Sequence, residues 1–554
     1  MSLRSAVDHH ALRLWMQTVK HLQFQPFRDS LADPQKTQQA TLRSILSRNQ
    51  DTAFGKHHDL RSIRSEREFR SRIPIHSYED LRPYIERQIA SDAPELNPTK
   101  PLMYAQTSGT TGKPKYIPLC RETLRAFRHT QRLSSYLQQA AAPGLFAGKL
   151  LALVSPMIEG HLDNGTPFGS MSGVVRHSLP SIIRSKSLLP QTALDALDYE
   201  DRYRLISAIA ISAPDITCFA SANPSTFLRL SDIIGSHFDQ LLEFLETGRP
   251  ESLGVKQCPA ALKALCQPTA SRLAALKQLA KKGSAVTFAD LWPDLRGVVT
   301  WTSGNCSLLL PKLSKQLAPT TRIIEMGYLA SEFWGTIAVD ANLGVPTIGD
   351  NFFEFIEPDA WEAGSRETTL LADLQPNTRY YIITTTPNGL YRYFINDLVE
   401  VSGRYQNTPT IAFVQKGKGV TTLTGEKLYE GQVIEAVQQS SARLHVELDS
   451  FIMLAHRDRF AYTLYLEAAT APDLAAYEIT FNDALSAINL EYAAKLKSGR
   501  LQPTSIKRLK PGTFDAYKRA AISSGQREGQ FKTIKLQYSD ELAFNFEEHL
   551  WQAI

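Results

Sequence analysis

From Lys149 to Thr386, short apolar runs bounded by turn residues alternate with longer helical patterns, and this alternation restricts the fold more than any other feature. The runs Lys149–Val154, Ile216–Ala220, Gly297–Thr302, Arg322–Met326, Phe352–Ile356 and Arg379–Thr386 read as strands, with helices such as Thr269–Lys281 and Leu308–Leu317 between some of them. Such alternation predicts an α/β architecture. Residues 1–100 read as mainly helical, and Ser77 with Asp80 three residues on forms a short-armed capping box. Arg121 to Ala142 reads as one long helix.

At 554 residues the chain exceeds one ordinary domain. Composition shifts at Gln415-Lys-Gly-Lys-Gly419, which is basic and Gly-rich. Beyond it the order is helix Glu430–Ser441, strands Leu444–Ala455 and Phe460–Glu467, helix Ala471–Leu496, strand Thr504–Leu509 and helix Thr513–Ile522. The expected organisation is therefore a large α/β domain over residues 1–415 and a small α+β domain over 416–554. Sixty-one basic and 56 acidic residues leave a net charge of +5, interspersed, so no nucleic-acid partner is expected. No apolar run reaches the roughly 18 residues of a membrane span, and the N-terminus lacks the apolar core of a signal peptide. Five cysteines without a C-x-x-C pair fit a reduced, cytoplasmic protein with no membrane partner.

Thr107-Ser-Gly-Thr-Thr-Gly-Lys-Pro-Lys115 combines four hydroxyl side chains, two glycines and two lysines. Glycines let backbone N–H groups turn toward one concavity, hydroxyls add donors, and lysine acts as a mobile point charge, which together suit phosphate oxygens. It is not a Walker A loop, because Pro114 follows Lys113 where that loop places a Ser or Thr.

Three later acidic or basic residues suit the same chemistry. Glu332 follows the strand Arg322–Met326, and a carboxylate past a strand end beside a phosphate nest is placed to hold Mg²⁺, which takes one or two carboxylates plus substrate phosphates. Taken alone, it would be a surface acid. Asp397 follows Arg379–Thr386 and a Pro-Asn-Gly turn; its two oxygens can accept both ribose hydroxyls, or pair with Arg392 or Arg404. Lys532, in Gln530-Phe-Lys-Thr533, is a late lysine that can stabilise charge on a reacting carboxylate and α-phosphate.

In this order, the pieces resemble the Gretchen Hagen family of auxin-responsive acyl acid–amido synthetases and their bacterial relatives, a branch of the adenylate-forming superfamily. The resemblance runs from Tyr78-Glu-Asp-Leu-Arg-Pro-Tyr-Ile85 and the loop ending Lys115-Tyr-Ile-Pro118, through Leu291-Trp-Pro293, Thr302-Ser-Gly304, Tyr328-Leu-Ala-Ser-Glu332 and Gly389-Leu-Tyr-Arg-Tyr393, to Gln530-Phe-Lys-Thr533. It implies a mobile C-terminal domain and two half-reactions. A small carboxylic acid attacks the α-phosphorus of ATP, with Mg²⁺, to give acyl-AMP; an amine, usually an amino acid, then takes the acyl group as an amide. It further implies that Ser108, Gly109, Thr110, Thr111 and Gly112 grip phosphates and that Ser303 contacts the nucleotide phosphate region. Tyr328 would stack on adenine beside Ala330 and Ser331, Glu332 would bind Mg²⁺, Asp397 would take the ribose and Lys532 would be catalytic.

The implied acyl pocket draws on the helix Arg121–Ala142, with apolar Leu124, Phe127 and Leu137 and cationic Arg128 and Arg132, which otherwise read as an exposed face. Several positions depart from the family pattern: Leu329 replaces the usual Gly, Phe394-Ile-Asn396 stands where a Val/Leu-Gly step precedes the Asp, and Thr424-Gly-Glu-Lys427 replaces the Asp-Lys-Thr of plant members and resembles bacterial ones. Lys427 reads equally as an active-site or a solvated lysine. Two other readings stay open, namely transfer to coenzyme A or another thiol, and a catalytically silent nucleotide-binding protein. Retention of Glu332, Asp397 and Lys532 weighs against the second.

Overall fold

The computed structural model describes residues 3–107, 114–190, 194, 197, 199–281, 285–340, 343–417, 419–421, 423, 424, 426, 428–497, 499, 501–524 and 531–551. The chain forms two compact units. One comprises Met1–Ile395 with Glu400–Ala412, the other Phe413–Ile554 with Asn396–Val399.

In the N-terminal unit the first hundred residues are helical, and the capping box is present: the Asp80 carboxylate accepts from Ser77 N–H at 2.7 Å while the Ser77 hydroxyl accepts from Asp80 N–H. Four strands, Lys149–Ala152, Ile216–Ala220, Gly297–Thr300 and Arg322–Glu325, pair in that order, all parallel. Parallel strands covered on both faces read as unbroken apolar runs, which is why Gly297-Val-Val-Thr300 is buried throughout. Against this sheet Phe219 packs on Phe227, Phe288 and Trp292, and the Trp292 indole N–H donates to the Ala213 carbonyl at 2.8 Å. A second sheet has the order Thr369–Leu370, Phe352–Ile356, Arg379–Thr385, Tyr393–Tyr405, Thr408–Lys416.

A buried ion pair fastens that second sheet to the helical N-terminal segment. The Arg392 guanidinium reaches Glu354 through Nη2 at 2.9 Å and Nε at 3.1 Å, and donates through Nη1 to the carbonyls of Arg70 at 2.6 Å and Ile73 at 2.7 Å. Thr368 donates its hydroxyl to the same carboxylate at 2.6 Å. A buried pair is tolerated when its remaining donors and acceptors are filled in this way, and removing one partner leaves a stranded charge.

In the C-terminal unit the sheet order is Ser505–Leu509, Ala461–Glu467, Ser450–His456, Leu536–Tyr538, with an antiparallel centre and parallel outer pairs. Two expectations change here. The helix expected over Ala471–Leu496 is two, Leu474–Ile488 and Leu490–Lys497, because Asn489 leaves helical geometry and its side-chain oxygen accepts from Tyr492 N–H at 2.8 Å, capping the second helix. The strand expected from Leu444 begins at Ser450, since Leu444 ends the helix Glu430–Arg443 and His445 is left-handed at φ +53°.

Lys535 is buried within this unit. It donates to Ser450 Oγ at 2.8 Å and lies 5.0 and 5.1 Å from the ring centres of Phe451 and Phe514, with its own backbone N–H bound by Glu430. Burial pushes its pKa from 10.5 down to about 8, against the opposing pull of Glu430 and Glu467.

Two outcomes are expected. Glu354→Gln should cost about 3–5 kcal/mol in denaturant unfolding; a loss below about 1 kcal/mol would show that the pair is not structurally required. Between pH 8 and 10.5 the unfolded chain holds a proton on Lys535 that the folded one has released, so stability of the C-terminal unit should rise with pH across that window. The Lys535→Met variant, followed by denaturation over the same range, should show a shallower rise; an identical slope would remove Lys535 as the source.

Candidate active site

The loop expected to hold phosphate connects two paired antiparallel strands, Met103–Thr107 and Lys115–Leu119, in register Thr107 with Lys115. Ser108, Gly109, Thr110, Thr111 and Gly112, with Lys113, lie outside the described residues, as do Lys427 and Gln530. The hairpin's second strand is held by Tyr78, whose hydroxyl accepts from Tyr116 N–H at 2.7 Å.

At the carboxyl end of the four-stranded parallel sheet, two adjacent strands run into turns that carry Ser303 and the predicted residues Tyr328, Ala330, Ser331 and Glu332. Open parallel sheets bind ligands at this edge. One carboxylate fastens the two turns together: Glu325 accepts from the backbone N–H and hydroxyl of Thr302, the former at 2.7 Å, and from Gly327 N–H at 2.8 Å. The Trp301 indole N–H adds a bond to the Gly327 carbonyl at 3.1 Å. Ser303 therefore stands one residue past an anchored Thr302, and Tyr328 one residue past an anchored Gly327.

The second turn is a tight hairpin. Tyr328 N–H donates to Thr336 Oγ1 at 2.9 Å, its carbonyl accepts from Gly335 N–H at 2.8 Å, Leu329 bridges Trp334, and Ala330 N–H donates to the Phe333 carbonyl at 3.0 Å. Ala330, Ser331 and Glu332 thus occupy its tip. The left-handed position falls on Gly327 at φ +95°, where a Cβ would lie 2.5 Å from the Thr336 carbonyl oxygen; Leu329 keeps an ordinary φ. The Tyr328 ring lies over Gly335 and edge-on to Phe333.

Glu332 is largely buried, and Tyr393 donates its hydroxyl to Glu332 Oε1 at 3.2 Å. Asn388 links this turn to the loop hairpin: its side-chain N–H₂ donates to the Pro118 carbonyl at 3.1 Å and the Glu332 carbonyl at 3.4 Å. Its own carbonyl accepts from Asn97 at 3.1 Å. A small cavity beside Glu332 is lined by Thr123, Phe127 and Thr130 of the helix Arg121–Ala141. On another face of that helix Leu124, Arg128 and Arg132 line a cavity of about 460 Å³. Arg128 and Arg132 on this wall are exposed, the alternative read for them from the sequence, while Phe127 packs edge-on to Trp334 on the other side.

Asp397 is buried on the strand Tyr393–Tyr405 and belongs to the C-terminal unit. Of the alternative partners named for it, Arg392 is engaged by Glu354, and Arg404 donates to the Asn407 carbonyl at 3.1 Å. Lys532 is exposed in the same unit, 5.6 Å from the Phe413 ring centre, three residues before buried Lys535. Glu325, Asn388 and Tyr393 went unassigned in the sequence reading. The available signals were a carboxylate inside an apolar strand and the Asn of a Pro-Asn-Gly turn.

Comparison with known proteins gives the same account of the chain. Residues 23–323 match the GH3 family N-terminal domain, 345–416 the GH3 family central domain and 431–541 the GH3 family C-terminal domain. The chain belongs to the GH3 family. It is 25% identical to the indole-3-acetic acid-amido synthetase GH3.15 of Arabidopsis thaliana, over 93% of this chain and 92% of the relative. To the indole-3-acetic acid-amido synthetase GH3.8 of Oryza sativa subsp. indica it is 24% identical, over 89% and 87%. In structure, this GH3 protein matches GH3.15 acyl acid amido synthetase with a TM-score of 0.82 at 23% identity, covering 95% of both chains. It also matches a 2-hydroxyisobutyryl-CoA ligase in the postadenylation state, at TM-score 0.53 and 12% identity over 90% of each. The fold is that of the adenylate-forming enzymes, and the curated relatives are acid-amido synthetases.

Glu325→Ala should strand the donors of Thr302 and Gly327, costing about 1–3 kcal/mol and speeding hydrogen exchange at both amides. Unchanged exchange at these two positions would show that the carboxylate does not hold the turns.

Proposed function

We propose that this GH3 protein activates a small carboxylic acid with ATP as an acyl-adenylate and then passes the acyl group to an amine, with an amino acid as the favoured acceptor. The observation carrying this reading is the pair of turns fastened by Glu325 at the carboxyl end of the parallel sheet, joined through Asn388 to the hairpin of the phosphate-type loop.

The residues divide the work as follows. Ser108, Gly109, Thr110, Thr111 and Gly112 hold phosphates, and Ser303 meets the phosphate region from its anchored turn. Tyr328 offers its ring to the adenine, with Ala330 and Ser331 along the same turn. Asp397 accepts the ribose hydroxyls.

The donor set suits Mg²⁺. One largely buried carboxylate, Glu332, is oriented by the Tyr393 hydroxyl, and no group of three or more acids, His or Cys at metal spacing occurs among the described residues. That composition fits an ion which takes most of its remaining ligands from phosphate and water. Bound by Glu332, Mg²⁺ would neutralise charge on the phosphates as pyrophosphate leaves. Lys532 supplies positive charge to the carboxylate and α-phosphate as they react; a carboxylate is a poor electrophile until AMP becomes its leaving group. In the second half-reaction the unprotonated amine attacks the activated carbonyl, AMP leaves with the C–O bond's electron pair, and the nitrogen's proton passes to water. Residues 1–415 would carry the nucleotide and acid, and 416–554 the lysine.

No helix among the described residues is long and apolar enough to cross a membrane. We assign the reaction to the cytoplasm, with no membrane or nucleic-acid partner.

Acid-dependent pyrophosphate release, followed with amino acids or with coenzyme A over an acid panel, tests the reading. Amide product is expected; thioester without amide would overturn the acceptor assignment, and ATP binding without release would overturn catalysis. Lys532→Ala should slow release about 10²–10³-fold, and Glu332→Gln should weaken the Mg²⁺ requirement's saturation about 10–100-fold. Wild-type behaviour of Glu332→Gln would remove it as the ligand.

A further inference from the structure

The 460 Å³ cavity on the outer face of the helix Arg121–Ala141 has a lining with a marked sign. Among the described residues, Arg128, Arg132, Arg184 and His177 contribute to its wall and no Asp or Glu does. Among the described residues, no carboxylate pairs with any of the three guanidinium groups. The Arg184 guanidinium donates to the His177 carbonyl at 2.6 Å. The rest of the wall is mainly apolar and includes Met103 and Met157. Elsewhere an arginine such as Arg82 is paired with acids, Glu79 at 2.6 Å and Glu86 at 3.9 Å. Here Arg128, Arg132 and Arg184 share one cavity wall: partial burial first, and then the nearby charges of Arg184, Arg128 and Arg176, depress the protonation of His177.

Three guanidinium groups and an imidazole around one volume match more than one negative charge, since a single carboxylate leaves part of the cluster unneutralised. The volume lies within the range of small-ligand sites, and the methionines and neighbouring apolar groups leave room for a hydrocarbon body. We propose that this cavity binds a small organic molecule with an apolar body and a dianionic headgroup, either a phosphate or a pair of carboxylates on one carbon. The headgroup lies among Arg128, Arg132 and Arg184, and the body runs toward Met103 and Met157. The cavity and the face bearing Thr123, Phe127 and Thr130 beside Glu332 are on different sides of the same helix, so this site does not depend on the nucleotide assignment.

Isothermal titration of the full chain, without ATP, compares hexyl phosphate, hexylmalonate and heptanoate. At least one dianion should bind tenfold or more tightly than heptanoate. Whichever dianion binds better identifies the headgroup as phosphate or dicarboxylate. Both arginines are exposed, so the Arg128→Gln/Arg132→Gln variant should fold and lose at least tenfold in dianion affinity, while Arg125→Gln on the same helix leaves it unchanged. Saturation should also raise the titration midpoint of His177, read by its imidazole NMR signals, because the headgroup offsets the surrounding cations. No dianion binding, equal affinity for heptanoate, or an unaffected double variant would overturn the proposal. Acid-dependent pyrophosphate release measured in parallel keeps the two readings separate, since binding here requires no turnover.

Discussion

The ion pair of Arg392 with Glu354 is the constraint on which the rest of the N-terminal unit depends. Arg392 sits at φ +44°, a left-handed conformation that a long side chain adopts only when its surroundings over-determine it. Here they do: the guanidinium is held by a carboxylate from one neighbouring strand and by two carbonyls from the segment Arg70–Ile73. The same segment continues to His76, whose backbone bonds Arg392 and Phe394 and whose ring Nδ1–H donates to the Tyr391 carbonyl. The residue after Arg392 is Tyr393, and its hydroxyl orients Glu332. A side chain proposed to face the metal is thus fixed through a buried charge pair in which it takes no part.

A parallel logic governs the turns. Glu325 gives no group to solvent chemistry; it fills its lone pairs with donors from two neighbouring strand ends and makes them one body. Stabilising a developing charge requires donors that need not reorganise as the reaction proceeds. Loops anchored at a single end reorganise, whereas loops fastened to each other one residue before Ser303 and Tyr328 do not. Asn388 extends that rigidity to the hairpin strand at Pro118.

These relations explain what the sequence made legible. Ile216–Ala220 and Phe352–Ile356 are read to the residue, and the strands starting at Lys149, Gly297, Arg322 and Arg379 are read at their first residue; apart from the more exposed Arg322–Glu325, these strands are mostly buried and have no polar alternation to blur them. The long pair Tyr393–Tyr405 and Thr408–Lys416 was not anticipated. Asn396 interrupts the first with a left-handed residue and Pro409 stands in the second, so neither shows a clean period. The break at Asn489 was equally hidden, since the apolar spacing continues across it and only the cap to Tyr492 N–H ends the helix. Chemistry-bearing residues stood out by type and order. Residues that position them, Glu325, Asn388 and Tyr393, are ordinary letters whose role exists only once strands from distant parts of the chain are adjacent.

Two of the departures from the family pattern have different physical consequences. At Leu329 the loss of glycine costs nothing, because the left-handed residue of that turn is Gly327, two positions earlier. At Asn396 the need for a left-handed residue is real, with φ +59°, and Asn is among the few non-glycine residues that meet it readily. The exchange has a steric partner. A Cβ on Gly417 would overlap the Asn396 side-chain amide, and Gly417 N–H donates to the Asn396 carbonyl at 2.8 Å. With asparagine before Asp397, position 417 has room only for glycine, so the backbone that presents the carboxylate depends on Asn396 and Gly417 together.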